Sequence, residues 1–191
     1  MNIHRIIEKT MAEGPGNRFA IWTQGCSRHC KGCMLPKTWS FNANIELSVN
    51  EILEKIYRMD DIEGVTILGG EPFEQAKDLV SLVKGIRKKD LSIIIFTGFS
   101  IEELKNSKNR IYQEILKNID ILIDGKYIEN LRSFNIPMIG SDNQRFHFLT
   151  GRYSMIDIPE NRIEVRINPD GSLFYNGMGN FERVTESMKG I

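Results

Sequence analysis

The chain is short of several things, and each shortage narrows what it can be. No stretch reaches the roughly 18 apolar residues that a membrane-spanning helix requires. The opening "MNIHRIIEKTMAEGPG" lacks the basic, apolar, small-residue succession of a secretory leader, so the chain is expected in the cytoplasm, where thiols stay reduced. Neither sign of charge is in excess: 25 Lys and Arg face 25 Asp and Glu. That balance argues against a nucleic-acid groove or an anionic membrane surface as the main partner. Internal repeats and low-complexity segments are missing too. Cysteine is scarce, with three in 191 residues, all between 26 and 33. An odd, clustered set suits ligation or redox chemistry and not a disulfide framework.

What is present alternates between two periods. "RFAIWTQ", "GVTILGGEP", "LSIIIFTG" and "IDILIDG" read as strands, and their continuous apolar runs indicate burial on both faces. Between them, "SVNEILEKIYRM" (48–59), "EQAKDLVSLVKGIRKK" and "SIEELKNSKNRIYQEILKN" carry apolar residues at helical spacing. The first starts at a Ser48 cap with Glu51 three residues on. Successive βα units predict an α/β fold with a mainly parallel sheet. Residues 1–191 are read as one domain, with a core of about 14–149. Residues 150–191 form a C-terminal extension in which "NRIEVRI" and "SLFYNG" flank the hairpin turn candidate "NPDGS". In folds of this kind chemistry gathers at the carboxyl ends of strands. There the sequence places the cysteine loop, then "GGEP", then "FTGF", then "DGKY": one site.

The spacing C-x-x-x-C-x-x-C puts Cys26, Cys30 and Cys33 on a single loop, with Gly25 and Gly32 easing the backbone where it wraps. A 4Fe–4S cubane is normally held by four thiolates, so three leave one iron open. Two other readings of these residues stand beside this one. Structural zinc needs a fourth ligand from His29, His4 or His147, without the paired knuckles usual for zinc. A redox dithiol leaves one thiol without a pairing.

The cysteine loop after a first strand and G-G-E-P after the second resemble the radical S-adenosylmethionine (SAM) superfamily. "GPGNRFAIWTQGC" and "CMLPKTW" resemble segments of the glycyl-radical-enzyme activases, and "GGEPFEQ", "DILIDGKY" and "GSDNQR" those of anaerobic ribonucleotide reductase activators. The matched segments run from about 14 to 149. The resemblance implies a (β/α) TIM-like barrel, incomplete because few residues follow the fourth strand. It implies a 4Fe–4S cluster on Cys26, Cys30 and Cys33, with SAM chelated at the open iron. Reductive cleavage then gives a 5′-deoxyadenosyl radical that removes hydrogen, most naturally from a glycine of a larger glycyl-radical enzyme. A one-electron donor such as flavodoxin or ferredoxin is implied as well.

In that scheme Gly69 and Gly70 admit a ligand close to the backbone, Pro72 fixes the chain beyond them, and Glu71 receives the ammonium end of SAM. Thr97 and Asp124 would meet the ribose and Lys126 the carboxylate, with Gly98 giving room. Each has a plainer reading: Glu71 as a first-turn anion, Thr97 in a turn, Asp124 and Lys126 as a surface ion pair, and Arg145 as an exposed arginine. Met34, Trp39 and Phe41 are read as core or loop cover as readily as cofactor contacts. The chain departs from the pattern at Gly32, where many relatives carry an aromatic, and at Leu35, where activases carry asparagine. A radical SAM enzyme acting on a small molecule or peptide, and a non-catalytic metal-binding docking module, are the competing readings.

Overall fold

The computed structural model describes residues 1–187. Four parallel strands form the centre: β2 (Arg18–Thr23), β4 (Gly64–Gly69), β5 (Ser92–Phe96) and β6 (Ile121–Asp124). Antiparallel strands flank them. On one side are β1 (Asn2–Thr10) and β3 (Ile45–Glu46), on the other β7 (Arg145–Phe148), giving the order β3-β1-β2-β4-β5-β6-β7. The edge strands β3 and β7 do not pair with each other, so the sheet stays an open half-barrel among the described residues. The α/β, mainly parallel, incomplete-barrel expectation holds.

Side chains alternate across each parallel strand, and both sets are buried. Phe19, Ile21, Val65, Ile67, Ile93, Ile95 and Leu122 face the helices α1 (Val49–Tyr57), α2 (Ala76–Arg87), α3 (Ile101–Asn106) and α4 (Arg110–Leu116). The opposite face carries Ile94, Ile121 and Ile123 under Met138, Ile139 and Ile158, and beside them Ala20 and Trp22 under Leu35 and Phe174. Two covered faces explain the unbroken apolar runs. The Ser48–Glu51 capping box forms as expected. Arg18, fully buried, closes the floor: its guanidinium donates to Thr66 Oγ1 (2.6 Å), Ser92 Oγ (3.0 Å) and the Val65 carbonyl (2.8 Å), among others.

Two features depart from the sequence reading. The N-terminal strand β1 carries no clean period-two signal because register shifts fall between Ile3 and Arg5 and between Ile7 and Thr10. Ile3 consequently packs on the helix side and Ile7 on the inner side. The helix expected over 100–118 is two helices, since Ser107 is extended and the Asn109 side chain caps α4 by accepting from Ile111 N (3.1 Å). The C-terminal hairpin forms as β8 (Ile163–Ile167) and β9 (Leu173–Gly177), followed by α5 (Phe181–Ser187). The end of the extension, 188–191, lies outside the described residues. No helix among those described is long and apolar enough to cross a membrane.

Candidate metal centre and cofactor site

The cysteine loop leaves the carboxyl end of β2 and is tied down before the first thiol. Gln24 clamps it: its amide donates to the carbonyls of Lys37 (3.0 Å) and Ser40 (2.8 Å), and its oxygen meets His4 Nδ1 (3.0 Å). Gly25 N and Cys26 N donate to the carbonyls of Thr38 and Trp39. The turn at Pro36–Thr38 holds the far end of the loop. All three thiols are free.

Each sulfur accepts a main-chain N–H. Cys26 is served by Arg28 and His29, Cys30 by Tyr127, and Cys33 by Leu35 (3.4 Å). Burial raises the Cys26 and Cys30 thiols above the ordinary thiol value, while the neighbouring Lys126 charge eases ionisation of Cys30. Amides aimed at sulfur are what iron-bound thiolates use. Zinc fits worse. Among the described residues no three Cys, His, Asp or Glu side chains, the three cysteines included, stand close enough to share a single metal ion, a spacing that suits a cluster several ångströms across better than one zinc. Two of the histidines point a ring nitrogen elsewhere, His4 at Gln24 and His147 at Asp124 (3.0 Å), while His29 stacks on Trp39 (4.9 Å).

A cavity of about 140 Å³ joins the three cysteines to Gly69, Gly70, Glu71, Thr97, Gly98 and Gly125. Four strand ends therefore meet at one place. It shares Cys33, Gly69, Phe96, Tyr127 and Gln144 with a larger cavity of about 560 Å³ in the half-barrel lumen. Gly69 and Gly70 make the junction possible in a way the sequence did not reveal. Gly69 has φ +105°, and a Cβ there would lie 2.6 Å from Thr23 N; one on Gly70 would collide with the Gly25 carbonyl. The close approach is thus to the cysteine loop's own root, sealed by Gly70 N→Thr23 O (2.8 Å) and Glu71 N→Gly25 O (2.9 Å).

Glu71 is buried beneath this junction and caps the turn Pro72–Gln75 through Phe73 N (3.1 Å). Its oxygens also accept from Thr97 Oγ1 (2.8 Å) and Gly98 N (2.8 Å). Burial pushes the carboxyl up to about 7 against those hydrogen bonds and the nearby Arg28 charge. Thr97 accordingly touches Glu71 first. Pro72 is buried.

Asp124 and Lys126 are not brought into the smaller cavity. Asp124 is fully buried and spends its oxygens on Ile101 N (2.6 Å) and the Arg145 guanidinium (2.7 and 3.1 Å), which hold it below the usual carboxylate value despite burial. It ties β6 to α3 and β7, an anchoring role its sequence did not announce. Arg145 is exposed, as its plainer reading has it, and pairs with Glu102 (2.7 Å) as well as Asp124. Lys126 is exposed at the rim near Cys30. Leu35 packs on the inner face with Trp22, Met34 lines the lumen, and the exposed Phe41 ring lies over Gly25.

Residues that sequence reasoning missed are mostly clamps. Gln144 donates to the Gly125 carbonyl (3.2 Å) and accepts from Gly140 N (3.0 Å), fixing the turn after β6. Arg28 lies over the Phe99 ring (3.6 Å) beside Gly98. Only its place inside the cysteine loop could have drawn attention to it.

A three-thiol loop with amide-bonded sulfurs, set at the strand ends of a parallel half-barrel, defines an iron–sulfur radical SAM protein. The model of the family described as "4Fe-4S single cluster domain" matches residues 12–147. The chain is similar to the anaerobic ribonucleoside-triphosphate reductase-activating proteins of Enterobacteria phage T4 (34% identical over 152 residues, 76% of this chain and 92% of that protein) and Vibrio cholerae (31% over 159 residues, 78% and 99%). A solved structure, QueE from Escherichia coli, aligns over 50% of this chain and 51% of its own at 24% identity and TM-score 0.42. The chain belongs to the 4Fe–4S single cluster domain family and to the family of these activating proteins. Its cofactors are a 4Fe–4S cluster and SAM.

Proposed function

We propose that the chain holds its cluster on Cys26, Cys30 and Cys33, binds SAM at the open iron, and installs a glycyl radical on the anaerobic ribonucleotide reductase of its own cell. The observation that carries this reading is the single cavity in which three amide-bonded thiols face the loops after β4, β5 and β6. When bound, the cluster and SAM supply one-electron cleavage of a carbon–sulfur bond and hydrogen-atom abstraction.

The chain's residues position and shelter that chemistry. Amides of Arg28, His29, Leu35 and Tyr127 stabilise negative charge on the sulfurs. Glu71, already oriented by Phe73, Thr97 and Gly98, gives the ammonium end of SAM a fixed anion, and the arriving cation favours the ionised carboxylate. Gly69 and Gly70 let the root of the cysteine loop pack directly on the end of β4, which fixes the thiols beside Glu71. Lys126, at the rim, suits the SAM carboxylate. The half-barrel's open edge leaves the lumen accessible to a protein segment. Flavodoxin or ferredoxin supplies the electron, and the reaction belongs in the reducing cytoplasm.

The test is anaerobic. The protein is reconstituted with iron and sulfide, reduced and given SAM; 5′-deoxyadenosine is measured by chromatography and a glycyl radical on the added reductase by electron paramagnetic resonance. Both are expected. A loaded cluster that never yields 5′-deoxyadenosine would overturn the reading.

A further inference from the structure

The family match ends at residue 147, and the phage T4 relative is spanned over 92% of its length while covering 76% of this chain. The β8–β9 hairpin lies beyond that match, yet it reaches back to wall the lumen. Tyr175 and Asn176 line the 560 Å³ cavity together with Cys33, Met34 and Leu35, and Phe174 joins Leu35 in the small apolar cluster beside it. The hairpin is fastened there. Glu164 accepts from Thr10 Oγ1 (2.8 Å) and Met11 N (2.7 Å), and Arg166 donates to the Lys9 carbonyl (2.7 Å). Asn176 donates to Thr10 Oγ1 (2.9 Å) and Glu13 Oε1 (3.2 Å). It is a fixed wall, not a hanging tail.

That wall presents polar atoms with nothing to bond. Asn176 is 4% exposed, and because its nitrogen serves Thr10 and Glu13, its Oδ1 is the atom left over. Asn176 Oδ1 and the Tyr175 hydroxyl are both buried without a hydrogen-bond partner among the described residues. The Arg5 guanidinium carbon sits over the Phe174 ring, 3.4 Å from its centroid, and Arg5 lines the same cavity. Buried polar atoms in folded proteins are almost always paired, so orphans around one cavity point to a ligand. The set comprises one obligate acceptor, one hydroxyl that can donate, and one cation with several N–H donors. An amide group, offering an N–H beside a carbonyl, satisfies all three.

We propose that Arg5, Tyr175 and Asn176 form a specificity subsite in the lumen that holds a backbone amide of the partner segment entering to be activated, and that the hairpin is the means by which this chain selects its partner. The proposal rests on the activase reading. Main-chain recognition of an extended segment by a few fixed polar groups is a common way of binding peptides. Apolar neighbours Trp22, Phe96 and Met138 exclude water and strengthen each hydrogen bond.

The test uses the cluster-loaded full chain and the whole anaerobic ribonucleotide reductase from the same genome. Tyr175→Phe removes only the hydroxyl, and Arg5→Gln removes the cation. Each is expected to raise the reductase concentration giving half-maximal glycyl radical about 3- to 10-fold, the value of one or two hydrogen bonds. SAM affinity, read by calorimetry, and partner-free 5′-deoxyadenosine formation should stay within about twofold of wild type, and thermal midpoints should be kept. Unchanged half-saturation in both variants would overturn the subsite. So would a parallel loss of SAM affinity, which would assign these groups to the cofactor. If the wild type cleaves SAM but puts no radical on the reductase, the activase reading itself has failed and the subsite falls with it.

Discussion

Glu13 offers a quantitative check on how the hairpin is held. Its carboxyl is buried at 6% exposure, where it accepts from Asn176 and from the Gly177 amide and feels repulsion from Glu164. Burial, the largest influence, pushes it from an ordinary 4.5 up to about 7. At roughly 1.4 kcal/mol per pH unit, the ionised form is disfavoured in the native state by about 3 kcal/mol. Between pH 4.5 and 7 the folded chain therefore holds a proton that the unfolded chain has lost. This contribution is fully present below about pH 4.5 and is lost as pH rises towards 7. Glu13→Gln keeps an acceptor for Asn176 but has no proton to lose. The stability of the variant relative to wild type should increase by about 3 kcal/mol from pH 4.5 to 7.5, which is about 1.5 M in urea midpoint for a chain of this size. Urea unfolding of both proteins across that range, under reducing conditions, measures the difference directly. Midpoints that run parallel with pH would refute the argument.

Other expectations follow from the same geometry. Cys26→Ala, Cys30→Ala and Cys33→Ala should each abolish cluster binding, read as lost iron content and visible absorption; full iron with full activity in any of them would contradict the site. Glu71→Ala should weaken SAM binding by about tenfold or more while cluster loading survives. It should also lower the thermal midpoint, because Phe73 N, Thr97 Oγ1 and Gly98 N lose their acceptor. Arg18→Met should cost about 1–3 kcal/mol by taking away the donor that serves Thr66 Oγ1, Ser92 Oγ and the Val65 carbonyl inside the floor of the sheet, measurable by denaturant unfolding. Asn109→Ala should cost about 1 kcal/mol through loss of the α4 cap, with SAM cleavage unchanged.

The cysteine spacing, the strand ends and the helical stripes were legible because each is a local pattern. Three thiols in eight residues cannot be far apart, and an apolar run that alternates with helices has few ways to be buried. Strand β1 and the break at Ser107 were not legible. A bulge erases period two, and an Asn cap competes with the helix only by small margins. The site roles divide along the same line. Cys26, Cys30 and Cys33 lie on one loop and could be read directly, whereas Asp124 looked available to a ligand until the fold set Ile101 and Arg145 against it.

By itself, then, the sequence determined the parallel α/β class, the three-thiol loop and its place at a strand end, since these rest on residue type and spacing over a few residues. Only the tertiary structure decided which polar groups are left free. Gly69 and Gly70 turn out to admit the root of the cysteine loop, Glu71 to be pre-bonded, and Tyr175 and Asn176, from the far end of the chain, to line the same cavity as Cys33. Hydrogen-bond capacity is finite, and which partner consumes it depends on contacts between residues as far apart as Thr10 and Asn176, where no local pattern reaches.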